Sequence, residues 1–194
     1  MVFTVTERLQ RMNTWIALLR GINVGGRNSL PMKELAAILE KTGAKNVRTY
    51  VQSGNVVFQS GDKDGSKLST KISSEIKKKR GFEPFVLVLG VDALRKAIKK
   101  NPFPEGEADP GHLHLGFLAN IPQNPNMAKL NELKIASEHF KLIGSVFYLH
   151  APEGIGRSKL AAASEKLLGV PMTDRNWKTV TSIWTLVTEI SKES

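Results

Sequence analysis

A polar, glycine-rich loop near the start of the chain has the composition of an anion-binding loop. Residues 20–28 read RGINVGGRN and directly follow four apolar residues, Ile16 to Leu19. Glycine-rich amides can form an anion-holding concavity, and these glycines allow close backbone approach: Gly21, Gly25 and Gly26. Arg20 and Asn23 would add a charge and a side-chain amide. The spacing matches neither the dinucleotide nor the P-loop signature, so a strained connection between strand and helix is an equal alternative.

A second polar cluster, residues 52–55, reads QSGN and lies between two β-rich runs. Turn chemistry alone accounts for Ser53 and Asn55, because serine, glycine and asparagine are common turn residues. Gln52 has no such explanation. The cluster is therefore either the tip of a hairpin or part of a ligand site.

Two more clusters lie in the second half of the chain. Residues 154–159 read GIGRSK and precede an apolar periodic segment, so Arg157 and Lys159 would lie beside the amides of a helix N-terminus. The alternative is a flexible loop with Ser158 as the helix cap. Arg175, beside Trp177, serves either ligand binding or the packing of the last helix.

Catalytic and metal-binding patterns are sparse. His112 and His114 would share one strand face, but no carboxylate stands at motif spacing to them, so no metal site is expected. No nucleophile–base pair stands out, and the catalytic residues are unknown. The chain has no cysteine, which excludes disulfides and cysteine nucleophiles.

Charge is distributed unevenly along the 194 residues. Up to Glu105 the chain carries 19 lysines and arginines against 9 aspartates and glutamates, and beyond it the two kinds balance. Such asymmetry favours a polyanionic partner, with a solvated lysine-rich helix face as the alternative. The start of the chain does not resemble a signal peptide, and no apolar run is long enough to span a bilayer. A cytoplasmic location without membrane contact is expected.

Turn signals and apolar periodicity predict the same α+β unit twice. The first half reads β-α-β-β-α-β with an added helix, the ferredoxin-like order. Pro31 to Thr42 is its first helix, with Ser29 as the expected cap. The second half repeats this order, and GNVVF and SKL of the first half correspond to GSVFY and SKL of the second. The predicted subdomains are 12–104 and 111–190, with 1–11 as an extra N-terminal arm.

Four site residues are expected to meet at one end of the first sheet: Arg20, Asn23, Gln52 and Asn55. Arg20 and Asn23 follow the first strand, and the turn that holds Gln52 and Asn55 joins the next two strands. We expect the first strand and the strand that ends at Gln52 to run antiparallel, which would separate their C-terminal ends. A bent loop would then be needed to bring Asn23 towards Gln52.

Three segments together resemble one family: LLRGINVGG at 18–26, YVQSGNVVF at 50–58 and TDRNWKTV at 173–180. They are similar to the bacterial family called domain of unknown function 1697, over Met12 to about Val187. The third segment departs from the family pattern at Asp174, where threonine or alanine is expected. The resemblance implies two ferredoxin-like subdomains and no established activity, cofactor or catalytic residue.

Two functions of different class follow from these features. The leading hypothesis is a protein that binds an anionic ligand, nucleic acid or a nucleotide, through its basic half and polar loops. Ferredoxin-like sheets often present a face to RNA, although no aromatic pair of the RNA-binding type is evident. The alternative is an enzyme for a small phosphorylated or carboxylated substrate in a cleft between the subdomains, with Arg20 and Arg157 as anion clamps. No residue is identifiable as its general base.

Overall fold

Two four-stranded antiparallel sheets form the framework of the chain, each built in a β-α-β-β-α-β-like order. A computed structural model describes residues 12–192. The arrangement is α+β and consistent with a tandem of ferredoxin-like units, so the predicted fold class is confirmed. The predicted N-terminal arm, 1–11, lies outside the described residues.

The first unit contains four strands and three helices. Its strands are β1 (Asn13–Arg20), β2 (Lys45–Tyr50), β3 (Asn55–Ser60) and β4 (Phe85–Gly90). Its helices are α1 (Met32–Lys41), α2 (Gly65–Arg80) and α3 (Val91–Lys99). The strand order is β2-β3-β1-β4, and β1 pairs antiparallel with both β3 and β4.

Local chemistry explains where the first two helices begin and end. The Asp64 carboxylate accepts hydrogen bonds from the amides of Ser66 and Lys67 and so caps α2, which ends at Gly81 with a left-handed φ of 77°. The predicted cap at Ser29 is wrong, because α1 begins after Pro31 and has no side-chain cap. Proline at this position already holds the φ that helix entry requires.

Both faces of the central strands are buried. Ala17, Leu19 and Phe58 pack into the core beneath α1 and α2. On the opposite face, Ile16 and Leu18 are at most 1% exposed. A central strand buried on both faces reads as a continuous apolar run, which is why its sequence predicts it well.

The second unit repeats this plan. Its strands are β5 (Leu113–Leu118), β6 (His139–Ile143), β7 (Val146–His150) and β8 (Met172–Asn176), in the order β6-β7-β5-β8. Its helices are α4 (Met127–Leu133), α5 (Lys159–Leu168) and the closing α6 (Trp177–Lys192). Short 3-10 helices span Pro104–Ala108 and Ile155–Arg157.

By contact, the chain divides into two compact units. One runs to Arg95 and resumes at Ser182, and the other is Lys96–Thr181. The closing helix thus begins in the second unit and ends in the first. The subdomain limits predicted from the sequence, 12–104 and 111–190, stay a prediction.

Candidate functional site

The C-terminal ends of β1 and β2 lie at the same end of the first sheet. Both strands run antiparallel to β3, so they are parallel to each other. The expected antiparallel arrangement of these two strands is therefore wrong, and no bent loop is required. We call this region the loop end, defined as the segments 20–34, 51–54 and 77–85.

Asn23 ties two of these segments together. Its side-chain Nδ2 donates to the Gln52 carbonyl at 2.8 Å and to the Leu30 carbonyl at 2.9 Å. Its Oδ1 accepts from the Leu30 amide at 2.7 Å. The backbone φ of Asn23 is 53°, a left-handed value that asparagine tolerates better than most residues. The Asn23 side chain thus links the glycine-rich loop to the β2–β3 turn by hydrogen bonds.

The glycine-rich loop is a small hairpin. The Arg27 amide donates to the Val24 carbonyl at 3.0 Å, and the two residues form an isolated bridge. Gly25 and Gly26 between them have φ values of 56° and 74°, the pattern of a type I′ turn. The turn itself therefore accounts for both glycines, and Gly21, with φ 76°, occupies a further left-handed position.

The β2–β3 turn also has an internal explanation. Asn55 is fully buried, and its Nδ2 donates to the Tyr50 carbonyl and to Ser53 Oγ, each at 3.0 Å. The Gly54 carbonyl accepts from the Leu19 amide at 2.8 Å. Asn55 thus shapes the turn, and the exposed Gln52 contributes its backbone carbonyl to Asn23.

Exposed cations converge on the loop end from several segments. The Arg20 guanidinium lies 5.0 Å from the ring centroid of Phe85 on β4. Arg27 and Lys33 are exposed and form no ion pair with the residues that the structure describes. Neither group is therefore neutralised by a described carboxylate.

The end of α2 brings further charge to this region. Arg80 forms a two-point pair with Glu34 in the first turn of α1, with Nε 2.8 Å from Oε1. The hydrogen bond from Arg80, together with the charges of Arg80 and Lys79, lowers the pKa of Glu34. Lys77 pairs with Glu83 at 2.7 Å. The two carboxylates, Glu34 and Glu83, are thus outnumbered by the cations of this region.

Two exposed valines accompany these cations. Val24 is 67% exposed and Val51 is 50% exposed. Val51 also has φ 50°, a conformation that is unfavourable for a β-branched side chain. Backbone strain of this kind clusters at functional sites.

The remaining predicted site residues belong to the second unit. Arg157 and Lys159 are exposed beside Ser158, whose Oγ accepts from the Ala161 amide and caps α5. Arg175 is 9% exposed, and its Nη1 donates to Thr173 Oγ1 at 2.9 Å and to the Asp174 carbonyl at 2.6 Å. Burial lowers the pKa of Arg175 to about 10. A side chain held in this way serves packing in β8.

The sequence patterns did not identify a histidine–aspartate pair in the second sheet. His114 Nδ1 lies 2.7 Å from Asp174 Oδ2, and its Nε2 lies 3.0 Å from the Gly111 carbonyl. Burial acts to lower the pKa of His114, but Asp174 and the Gly111 carbonyl outweigh it and raise that pKa above 6.5. Both ring nitrogens thus face acceptors, an arrangement that favours the protonated ring.

Metal and membrane features are absent from the part of the chain that the structure describes. Within residues 12–192, no three histidine, cysteine, aspartate or glutamate side chains cluster as metal ligands. Within the same range, no helix has the length and apolarity to cross a bilayer.

The two repeated sheets and the basic loop end define the class of protein, a tandem ferredoxin-like α+β protein. Within that class, the chain belongs to the family described as "Protein of unknown function (DUF1697)", whose model matches residues 12–148. The predicted family resemblance is confirmed.

A solved structure with the same architecture is similar to most of the chain. It is the conserved bacterial protein SP0830 from Streptococcus pneumoniae, with 25% sequence identity and a TM-score of 0.68. The match covers 90% of this chain and 98% of that one. No curated protein matches the chain.

Proposed function

We propose that the protein binds nucleic acid through its phosphate backbone at the loop end of the first unit. The observation that carries the proposal is the pair of exposed cations Arg27 and Lys33, which described carboxylates do not neutralise. Phosphate contacts by such side chains supply the sequence-independent part of nucleic-acid affinity.

The loop end suits this role better than the sheet face. RNA-binding sheets of this topology expose rings on their central strands for base stacking. Here the central-strand residues on the sheet face opposite α1 and α2 are at most 1% exposed: Ile16, Leu18 and Val57. Phe58, on the helix-covered face, is 1% exposed. Backbone contact by loops is the mode that these burial values favour.

The spread of the cations favours a polymer over a single small anion. Arg20 ends β1, Arg27 lies at the tip of the glycine-rich hairpin, and Lys33 lies in the first turn of α1. Arg20 and Arg27 are both exposed. Successive phosphates along a strand match such an open arrangement.

Fluorescence anisotropy with labelled single-stranded RNA and DNA tests the proposal. The double variant Arg27→Gln/Lys33→Gln removes two cations without touching a described ion pair. The matched control Lys141→Gln/Lys166→Gln removes two exposed lysines from the second unit. We expect the first variant to bind at least several-fold more weakly. The slope of log K against log salt concentration should also fall in magnitude by about 0.7 per lost phosphate contact.

Equal losses in the two variants would show that net charge alone drives binding and would contradict a site at the loop end. A wild-type protein that binds neither oligonucleotide at low salt would overturn the function itself. Tight binding of a mononucleotide, undiminished by a competing oligonucleotide, would replace the polymer with a small ligand.

A further inference from the structure

A cleft of about 540 Å³ lies in the second unit, between the turn after α4 and the loop before α5. Its volume falls in the usual range for small-molecule sites. Charged side chains of both signs line it: Glu132, Lys134, Glu138, Glu153, Arg157 and Lys159. The cleft is separate from the loop end, which lies in the first unit.

Glu138 is the unusual member of this lining. The residue is only 2% exposed, and no described cation forms an ion pair with it. Its Oε2 accepts from the Ile135 amide at 3.2 Å, whereas its Oε1 accepts no hydrogen bond from the residues that the structure describes. Oε1 is therefore the oxygen of this carboxylate that remains available to a positively charged partner in the cleft.

The other two carboxylates of the cleft each accept a hydrogen bond from a side chain. Glu132 accepts from Lys129 Nζ at 2.6 Å, and Glu153 accepts from Ser137 Oγ at 2.6 Å. Glu138 therefore differs from its neighbours in its burial and in accepting a hydrogen bond from a backbone amide rather than from a side chain.

The wall formed by the α5 segment is positive. Arg157 precedes α5, a helix of 10 residues, and Lys159 begins it. Both side chains are exposed and form no ion pair with described residues. An arginine beside a helix N-terminus favours a carboxylate, because the guanidinium and the helix dipole act in the same direction.

We infer that this cleft binds a small zwitterion of the α-amino-acid type. Its ammonium group donates to Glu138 Oε1, and its carboxylate accepts from Arg157 beside the start of α5. A ligand with both charges pairs with the Glu138 carboxylate and with the exposed cation at once. A simple amine or a simple anion satisfies only one of them.

Isothermal titration with a panel of L-α-amino acids tests this site in the full-length protein. Each amino acid that binds is compared with its N-acetyl derivative, which lacks the ammonium, and with its amide, which lacks the carboxylate. Glu138→Gln keeps an acceptor for the Ile135 amide but removes the charge, and Arg157→Gln removes the cation. The controls are Glu189→Gln and Lys45→Gln, which change exposed residues of the first unit.

We expect at least one amino acid to bind in the millimolar range, with both derivatives and both cleft variants weakened about tenfold or more. Affinity that survives acetylation, amidation or Glu138→Gln overturns the inference, as does the absence of binding by every amino acid. If Glu138→Gln does not fold, the inference is tested by Arg157→Gln and by mapping the amide chemical-shift changes that the amino acid causes in the wild type. Shifts outside 132–138 and 153–159 would then contradict the site.

Discussion

At the scale of single residues, Gly54 sets how closely the β2–β3 turn approaches β1. A Cβ at this position would lie 2.7 Å from both Leu19 Cβ and Ile22 Cδ1, and φ is 78°. Gly54→Ala therefore adds steric overlap to backbone strain, and we expect a loss of about 3 kcal/mol in the free energy of unfolding. Urea denaturation measures it.

The equivalent turn of the second unit supplies the control. Gly144 has φ 60°, but a Cβ there would meet nothing within 4 Å. Gly144→Ala should cost only the strain of the left-handed backbone, about 1 kcal/mol. Equal losses at the two glycines would mean that the close approach at Gly54 relaxes without cost.

His114 makes folding stability depend on pH. Its pKa is raised above 6.5 in the folded protein, because Asp174 and the Gly111 carbonyl outweigh the effect of burial. The imidazolium therefore contributes stability that is fully present below the unfolded-state pKa and is lost as pH rises through the folded-state pKa. Denaturation of the wild type from mildly acidic to mildly alkaline pH should show this loss.

Asp174→Asn should abolish most of that dependence and should destabilise the protein chiefly on the acidic side. The control is Asp109→Asn, which alters the exposed pair of Asp109 with His112, whose Nδ1 lies 2.6 Å from the carboxylate. Parallel pH curves for the wild type and Asp174→Asn would rule out the His114 pair as the source.

At the scale of elements, Asn23 couples the glycine-rich loop to the β2–β3 turn. Asn23→Ala removes three hydrogen bonds and the residue type best suited to its φ of 53°. We expect a loss of about 2–4 kcal/mol and faster amide exchange in both segments, 21–30 and 51–54. Asn28→Ala, which removes one bond to the Gly21 carbonyl, should cost less and leave the turn protected. Exchange that rises in the glycine-rich loop alone would refute the coupling.

Local sequence patterns predicted the helices and strands, but not the relative direction of every strand or the cap of every helix. The apolar run Ile16 to Leu19 identified β1, because a strand buried on both faces leaves an unambiguous signal. The direction of β2 relative to β1 was predicted wrongly, since both strands pair with β3 and only that shared neighbour makes them parallel. The capping of α1 was also missed, because Pro31 performs it without a side-chain bond.

Site residues were predicted only where they are adjacent in sequence. The glycine-rich loop and the QSGN turn stand out as motifs, and the structure joins them through Asn23 and Gln52. His114 and Asp174 lie 60 residues apart and meet only because β5 pairs with β8. Glu138 has no motif, since its distinction is burial beside a cleft.

At the scale of the whole molecule, the first unit depends on the end of the chain. Residues from Ser182 onward belong with those up to Arg95. Three of them are at most 1% exposed: Ile183, Val187 and Ile190. Burying each apolar side chain contributes about 1.5–3 kcal/mol, so together they approach the total stability of a typical domain.

Truncation after Thr181 should therefore unfold the first unit while the second retains its structure. Amide exchange should lose protection in β1 and β3 and keep it in β5 and β7. Truncation after Ile190, which removes only the residues beyond the last buried position, is the control and should leave both units protected.

The same experiment tests the subdomain limit predicted from the sequence, because an independently folding 12–104 would keep β1 protected without the end of α6. Protection of β1 in the shorter protein would show that the first unit folds from contiguous sequence alone, and loss of protection in β5 as well would show that the two units unfold together.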